Sequence, residues 1–422
     1  MATSDPPLRW HCCSPCWSWW PPAQRGGCSG WPPRRAPAGP VPPFLNRCWR
    51  SRVPADDART PALRCARLRV EYAGRPAVDD VDLAIAPGEL VAVLGESGAG
   101  KSTLLAAVAG LVPLAAGEIW LSGRQVAGPG RDVPPEHRAV GMVFQQYALW
   151  PHLCALDTVA YPMRRAGQAR PAARARAAAL LDQLGVGHLA HRRPAELSGG
   201  EQQRVGLARA LARDAAVYLF DEPTAHLDPQ QRLAFQAEVR RRQRAAGAAA
   251  LYATHDAGEA LALADRVAVL VGGHLAQLAP PAGVYGHPAS IAVARLTGAA
   301  SVLDARLESA GTGDGAELVL RIGGELVAVP GGPGITGAAH VVVRPEWTIE
   351  RGPFRGTVTE AWFHGAHTDY VVEGRFGTVT LRRSGQQRHA IGEQIEWGLA
   401  RGWAVPTGTA GAGQPSAIVA PG

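Results

Sequence analysis

Gly95-Glu96-Ser97-Gly98-Ala99-Gly100-Lys101-Ser102-Thr103 fits the phosphate-binding pattern G-x-x-x-x-G-K-[ST]. Its lysine is the only one in the chain, against 42 arginines. Where a positive charge is merely useful, this sequence uses Arg. A glycine-rich turn whose backbone N–H groups wrap phosphates has room for a thin aliphatic stem ending in a compact ammonium, not for a planar five-donor fork. Leu90-Val91-Ala92-Val93-Leu94 precedes the turn as an uninterrupted apolar run, and Leu104 to Ala109 follow as good helix formers. The strand, loop and helix context of the pattern is therefore met. Ser102 is a candidate Mg²⁺ ligand, and a helix starting near Gly100 points its positive end at the nucleotide. Such loops serve kinases, GTPases and many ATPases alike, so this stretch identifies a nucleotide and not a task.

A length of 422 residues suggests two or three domains. No run of 18 or more uncharged apolar residues occurs, so the sequence predicts no membrane-spanning helix. Its start lacks a basic segment followed by a clean apolar one, which predicts no secretory signal and a cytosolic address. The formal charge of +7 invites a nucleic-acid partner, but residues 1–60 hold eight Arg and three Asp, leaving only +2 for the remaining 362 positions. Arg240-Arg241-Arg242 reads as the solvated face of a helix, so nucleic acid is not an expected partner.

Residues 1–60 combine six of the twelve Trp, five of the seven Cys and many Pro without periodicity. They are expected to be a disordered extension, or sequence upstream of a working start near Val53 or Leu63. Cys13 and Cys16 have C-x-x-C spacing with His11 and Cys28 nearby, but lack a second ligand pair at a finger-like distance. From residue 62 to 295, short apolar strands (Arg67 to Tyr72, Val81 to Ile85, Leu90 to Leu94, Val217 to Phe220, Ala249 to Ala253, Val267 to Val271) alternate with helical stretches, among them Arg170 to Leu184 and Pro229 to Ala246. This predicts an α/β domain with a largely parallel sheet. Residues 300–405 show alternating runs between Gly-rich turns, which predicts a small β-barrel or sandwich. Residues 406–422 read as a flexible tail.

Val217-Tyr218-Leu219-Phe220-Asp221-Glu222 is an apolar strand ending in two carboxylates, about 120 positions after the phosphate loop. Strand alternation would send the two side chains in different directions. Asp221 is then free to hold Mg²⁺ while Glu222 polarises an attacking water, the division of labour that nucleotide hydrolysis needs.

Leu197-Ser198-Gly199-Gly200-Glu201-Gln202-Gln203-Arg204 narrows the reading to a family. The chain resembles the ATP-binding subunits of ATP-binding-cassette (ABC) transporters, whose signature reads almost letter for letter like this stretch. Ser198 and the Gly199-Gly200 amides open a helix expected to begin near Glu201, a second anion-binding terminus. The resemblance implies that this end covers the nucleotide held by the phosphate loop of a second cassette, so that two subunits close head to tail around two ATP molecules. It further implies that Tyr72 stacks on adenine, that Gln145 touches Mg²⁺ and links the site to the membrane partner, and that the segment Tyr147 to Leu153, with Trp150 as a candidate anchor, receives that partner. His255 resembles the switch histidine that contacts the γ-phosphate, and Asp228 the aspartate that communicates across the dimer. Ala225-His226-Leu227-Asp228 departs from the family's usual Ser followed by Asn or Ala before Leu-Asp.

Val343-Arg344-Pro345-Glu346, Gly356-Thr357-Val358-Thr359-Glu360 and Phe363-His364-Gly365 are similar to the C-terminal oligonucleotide-binding-like (TOBE) regulatory domain of importer ATPases. The whole is thus expected to be an α/β P-loop NTPase (ABC ATPase) domain followed by a small all-β OB-like domain. The resemblance implies a homodimer or paired cassette binding ATP and Mg²⁺ on the cytoplasmic face of the cell membrane. It would dimerise on transmembrane permease subunits and act indirectly with a periplasmic or lipoprotein solute-binding protein. Ferric iron, a polyamine or an oxyanion is the expected solute class, with a sugar-type importer as the alternative. A soluble cassette ATPase working on ribosomes or DNA is the rival from another class; such relatives usually fuse two cassettes or carry a long coiled coil, and neither is present here.

Overall fold

The computed structural model describes residues 60–225, 227–310, 317–332, 335 and 337–407. The expectations placed on residues 1–59 with their C-x-x-C spacing, on His226 and on the tail beyond residue 407 lie outside the described residues.

The chain opens with β1 (Leu63–Tyr72) and β2 (Arg75–Ile85), followed by β3 (Leu90–Leu94), α1 (Lys101–Ala109), β4 (Ala116–Leu121), β5 (Arg124–Gly128), β6 (Arg131–Asp132) and β7 (Val140–Val143). Three helices, α2 (Ala155–Arg165), α3 (Arg170–Gln183) and α4 (Gly199–Leu211), lead to β8 (Val217–Asp221), α5 (Pro229–Ala246), β9 (Ala249–Thr254), α6 (Ala257–Leu263), β10 (Arg266–Val271) and β11 (His274–Ala279). β11-β10-β3-β9-β8-β7 form one sheet in that order, parallel except for the β10–β11 hairpin. Every residue of β3, β8 and β9 is buried. Covered on both faces, they read as continuous rather than alternating apolar runs.

β1 and β2 do not join this sheet, contrary to the reading of their runs as strands of a largely parallel one. They pair with each other and with β4, β5 and β6 in a separate antiparallel sheet, order β2-β1-β4-β5-β6. The cause is local: Ala73 and Gly74 form a two-residue connection with φ of 50° and 76°, and a tight two-residue turn with both residues left-handed can only return the strand antiparallel. α1 packs between the two sheets, with Leu104, Leu105, Ala107 and Val108 buried in one core shared by β1, β2, β3, β8 and β9. The phosphate-loop helix is thereby fixed on both sides.

α2 has no clear signal in the sequence. Pro162 lies inside it, which ordinarily argues against a helix, yet Leu156, Val159, Ala160 and Met163 keep one face buried. α5 carries the signals expected of it: Asp228 accepts from the Gln231 N–H at 2.8 Å, Pro229 takes the first position, and Gly247 closes the end with φ 62°.

After α7 (Pro281–Gly286) and α8 (Ile291–Leu296), the chain is all-β: β12 (Ser301–Ala310), β13 (Glu317–Ile322), β14 (Glu325–Pro330), β15 (Ala338–Val343), β16 (Thr348–Phe363), β17 (His367–Gly374), β18 (Gly377–Ser384), β19 (Gln394–Leu399) and β20 (Trp403–Pro406). These form two antiparallel sheets, β14-β13-β12-β15-β20 and β18-β17-β16-β19, closing on a single core in which Phe354 stacks on Trp397 at 4.6 Å. An α/β cassette followed by a small all-β domain is the architecture.

Arg344 joins the two parts. Fully buried, it donates to the carbonyls of Ala294, Gly298, Ala299 and Tyr285 and to Thr297 Oγ1, at 2.7 to 3.2 Å, and its guanidinium lies 4.2 Å from the Tyr285 ring. Arg344→Ala would orphan several carbonyls around a cavity, at a cost on the order of 3–5 kcal/mol. The expected outcome, in a thermal scan followed by circular dichroism, is earlier unfolding onset with little loss of secondary structure before it.

Candidate nucleotide site

Four adjacent parallel strands bring their carboxyl ends to one line: Val143 pairs with Phe220, Asp221 with Ala253, and Leu94 with Thr254. Just beyond those ends lie Gln145, then Asp221 and Glu222, then His255, then the loop 95–100. Open α/β sheets bind their ligands at this edge.

The loop's glycines are required by close backbone approach. A Cβ on Gly100, whose φ is 98°, would meet the Ala77 carbonyl oxygen at 2.2 Å, and one on Gly95 would meet that of Leu270 at 2.6 Å. Ala99 is buried beneath the turn, while Glu96, Ser97 and Gly98 face solvent. Gly100 has no side chain with which to cap α1, leaving the helix's first amides, including those of Ser102 and Thr103, for an anion. Lys101 is 4% exposed. Its Nζ donates to the carbonyls of Gly95 and Glu96, both at 2.9 Å, and stands 3.3 Å from Glu222 Oε1.

Ser102 Oγ donates to Asp221 Oδ1 at 2.8 Å. Burial pushes the Asp221 carboxyl above its usual range, against the opposing pull of the Ser102 hydroxyl. An undercompensated buried carboxylate beside a hydroxyl, an all-oxygen donor set, fits Mg²⁺. Asp221 and Glu222 do diverge, but not by strand alternation. β8 ends at Asp221, and Glu222 turns off with a left-handed φ of 42°. That turn brings Glu222 Oε2 to 3.1 Å from His255 Nδ1 while Oε1 faces Lys101.

The raised Asp221 pKa has a stability consequence. Its ionised form costs stability at neutral pH, and the cost fades as pH falls through the raised value. Asp221→Asn keeps the shape and the acceptor for Ser102, so the ligand-free protein should melt higher at pH 7, by on the order of 1–2 °C, with the gain shrinking in acid. Differential scanning calorimetry at several pH values reads this out. An equal or lower melting temperature at pH 7 would contradict it.

Two supporting residues escaped the sequence reading. Glu259, 5% exposed on α6, accepts from Thr254 Oγ1 at 2.7 Å and from Thr224 Oγ1, with Tyr252 Oη at 3.4 Å and Arg232 Nε at 3.6 Å. One carboxylate thus ties the residue before His255 to the segment after Glu222. Arg209 on α4 donates to the carbonyls of Tyr147 and Ala148, and its guanidinium lies 5.4 Å from the Trp150 ring. Burial lowers its pKa to about 10. It holds the turn after Gln145, where Tyr147 and Ala148 both have left-handed φ. Gln145 itself is exposed. A groove of about 760 Å³ beside it is lined by Phe144, Trp150, Tyr161, Arg165 and Arg209. Neither Glu259 nor Arg209 stands in a recognisable pattern; only their burial marks them.

Other candidates lie apart from the loop. α4 begins at Gly199, two residues earlier than expected, because Glu201 reaches back to accept the Ser198 N–H at 2.7 Å and closes the first turn on itself. That same bond holds the Glu201 carboxyl below its usual range. Leu197 is buried, and Gln202 Nε2 donates to the carbonyls of Pro194 and Leu197. Among the described residues, no side-chain hydrogen bond or ion pair joins 197–202 to 95–103. Tyr72 is 50% exposed at the β1–β2 turn, and Asp228 serves here as the α5 cap.

The family model described as "ABC transporter" matches residues 78–225. The chain is 42% identical over 320 residues to the spermidine/putrescine import ATP-binding protein PotA of Frankia alni, covering 72% of this chain and 68% of that one. It is 39% identical over 309 residues to the Fe(3+) ions import ATP-binding protein FbpC of Brucella melitensis, covering 72% and 86%. To the sn-glycerol-3-phosphate import ATP-binding protein UgpC of Chromohalobacter salexigens it is 40% identical over 291 residues, covering 68% and 76%. With the phosphate loop, paired carboxylates and histidine set along one sheet edge, and with this identity spanning most of each relative, the chain belongs to the ATP-binding subunits of ABC transporters.

Proposed function

We propose that this chain binds ATP and Mg²⁺ and hydrolyses the nucleotide to power solute uptake through a membrane permease. The observation that carries the reading is the contact of Glu222 with both Lys101 and His255 at the end of β8. Lys101 and the α1 amides bind the phosphates; Ser102 and Asp221, joined by Gln145, hold Mg²⁺. A cation held by these residues would supply positive charge against the phosphates. Glu222 takes the proton of the attacking water and His255, hydrogen-bonded to it, orients that carboxylate and faces the γ-phosphate. Tyr72 stacks on adenine. Leu197, Ser198, Gly199, Gly200, Glu201 and Gln202 cover the nucleotide of a second copy in a head-to-tail dimer, with Asp228 at the seam.

The groove beside Trp150 receives the permease, placing the subunit on the cytoplasmic face of the membrane. No helix among the described residues is long and apolar enough to cross one. Ferric iron, a polyamine or an oxyanion is the proposed solute class, supported by the names of the polyamine and iron relatives; a sugar-type system is the second reading. Affinity purification of the tagged full chain from native membranes, with mass spectrometry of what accompanies it, tests the proposal. A multi-span permease and a loaded binding protein are expected. Ribosomal or DNA-associated proteins without a permease would overturn the transport reading while leaving the ATPase intact.

A further inference from the structure

We propose that His364, His367 and Asp369 form a binding site for a divalent transition-metal cation of the zinc class on the β domain. One imidazole nitrogen from each histidine and one oxygen of the carboxylate all lie within 4.8 Å of one another. His367 and Asp369 sit two apart on β17 and so share a face, while Thr368 between them is buried on the other. His364 comes from the turn that connects β16 to β17. That turn is closed by two backbone bonds, His364 N–H to the His367 carbonyl at 2.8 Å and Ala366 N–H to the His364 carbonyl at 3.0 Å, with Gly365 supplying a φ of 79°.

The two imidazoles flank the carboxylate, each near a different one of its oxygens. His364 Nε2 stands 3.9 Å from Asp369 Oδ2, and His367 Nε2 stands 3.8 Å from Asp369 Oδ1. Donor atoms 2.0–2.1 Å from a tetrahedral cation are about 3.4 Å apart, so with all three donors within 4.8 Å of one another a closure of at most about 1.4 Å makes the site. His364, half exposed at its turn, can supply that movement. Asp369 is held still from behind: Arg382 on the neighbouring strand donates Nε to Oδ1 and Nη2 to Oδ2, both at 2.7 Å. A ligating carboxylate oriented by an outer hydrogen-bond partner is how metal sites fix their geometry.

The donor set also selects the ion. Two neutral imidazoles and one carboxylate suit Zn²⁺, Co²⁺ or Ni²⁺, whereas Mg²⁺ and Ca²⁺ call for more oxygen ligands than this cluster offers. With the Asp369 charge already balanced by Arg382, little electrostatic attraction is left for a hard cation. The site is therefore separable from nucleotide-bound Mg²⁺ in the same solution. Bound cation would pin the β16–β17 turn to the sheet and make the stability of the β domain respond to metal supply.

The test is equilibrium dialysis of the full chain against Co²⁺ in excess Mg²⁺, read by visible absorption. The parent is expected to bind one equivalent with ligand-field bands and no thiolate-to-cobalt charge transfer, and Zn²⁺ should displace it. His364→Ala, His367→Ala and Asp369→Asn should each weaken that equivalent more than tenfold, while hydrolysis of Mg·ATP in chelated buffer and near-ultraviolet circular dichroism stay at parental values. Equal binding by the parent and the His364→Ala/His367→Ala variant overturns the proposal. So does cobalt absorption that is wholly thiolate in character and is lost on cysteine alkylation.

Discussion

Glu222→Gln is expected to lower steady-state ATP hydrolysis by about 10²–10⁴-fold, the usual contribution of a positioned general base, while ATP binding is kept or tightened. Both halves follow from the same contacts. The substitution removes the proposed proton acceptor, the carboxylate beside His255, but preserves the side chain's shape. It also removes the carboxylate that sits 3.3 Å from the Lys101 ammonium, and a lysine released from an internal counter-charge is freer to meet a phosphate. Single-turnover and steady-state assays separate chemistry from release, and nucleotide titration gives the affinity. A rate within threefold of the parent would remove Glu222 from the role of base. Reduced affinity would instead mean that the Glu222–Lys101 pair prepares the loop for ATP rather than competing with it.

How much of this was legible beforehand depends on range. β3, β8 and β9 were visible because complete burial leaves uninterrupted apolar runs, and α5 because Asp228, Pro229 and Gly247 punctuate it. The division into two sheets was not, since which strand pairs with which is decided at turns such as Ala73-Gly74, whose composition carries only half of the usual Asn-Gly signal. The same limit applies at the site. The phosphate loop is a local pattern and could be read residue by residue. The divergence of Asp221 and Glu222 rests on a backbone angle that the letters do not display. Glu259 looks like any charged residue on a short helix until its burial against Thr224 and Thr254 is seen. The turn that Arg209 ties down beside the groove lies 61 and 62 residues away from it in sequence.

Lys101→Arg, conservative in charge, is expected to reduce ATP affinity by about 100-fold or more and to abolish measurable hydrolysis. The ammonium is 4% exposed and its three donors already meet the carbonyls of Gly95 and Glu96 and the Glu222 carboxylate. A guanidinium is larger, and its planar fork cannot turn its donors from loop carbonyls to phosphate oxygens by simple rotation. Overpacking of this kind costs about 1–3 kcal/mol, and a 100-fold loss is about 2.8 kcal/mol, so steric misfit accounts for most of the expected effect. The surrounding glycines make it worse, because the backbone cannot retreat: Gly95 and Gly100 already lie against the carbonyls of Leu270 and Ala77. Nucleotide titration of the variant, with its fold checked by circular dichroism, reads the result. Near-parental affinity would show that charge alone suffices at this position. The one lysine among 42 arginines would then be an accident of composition rather than a demand of the loop.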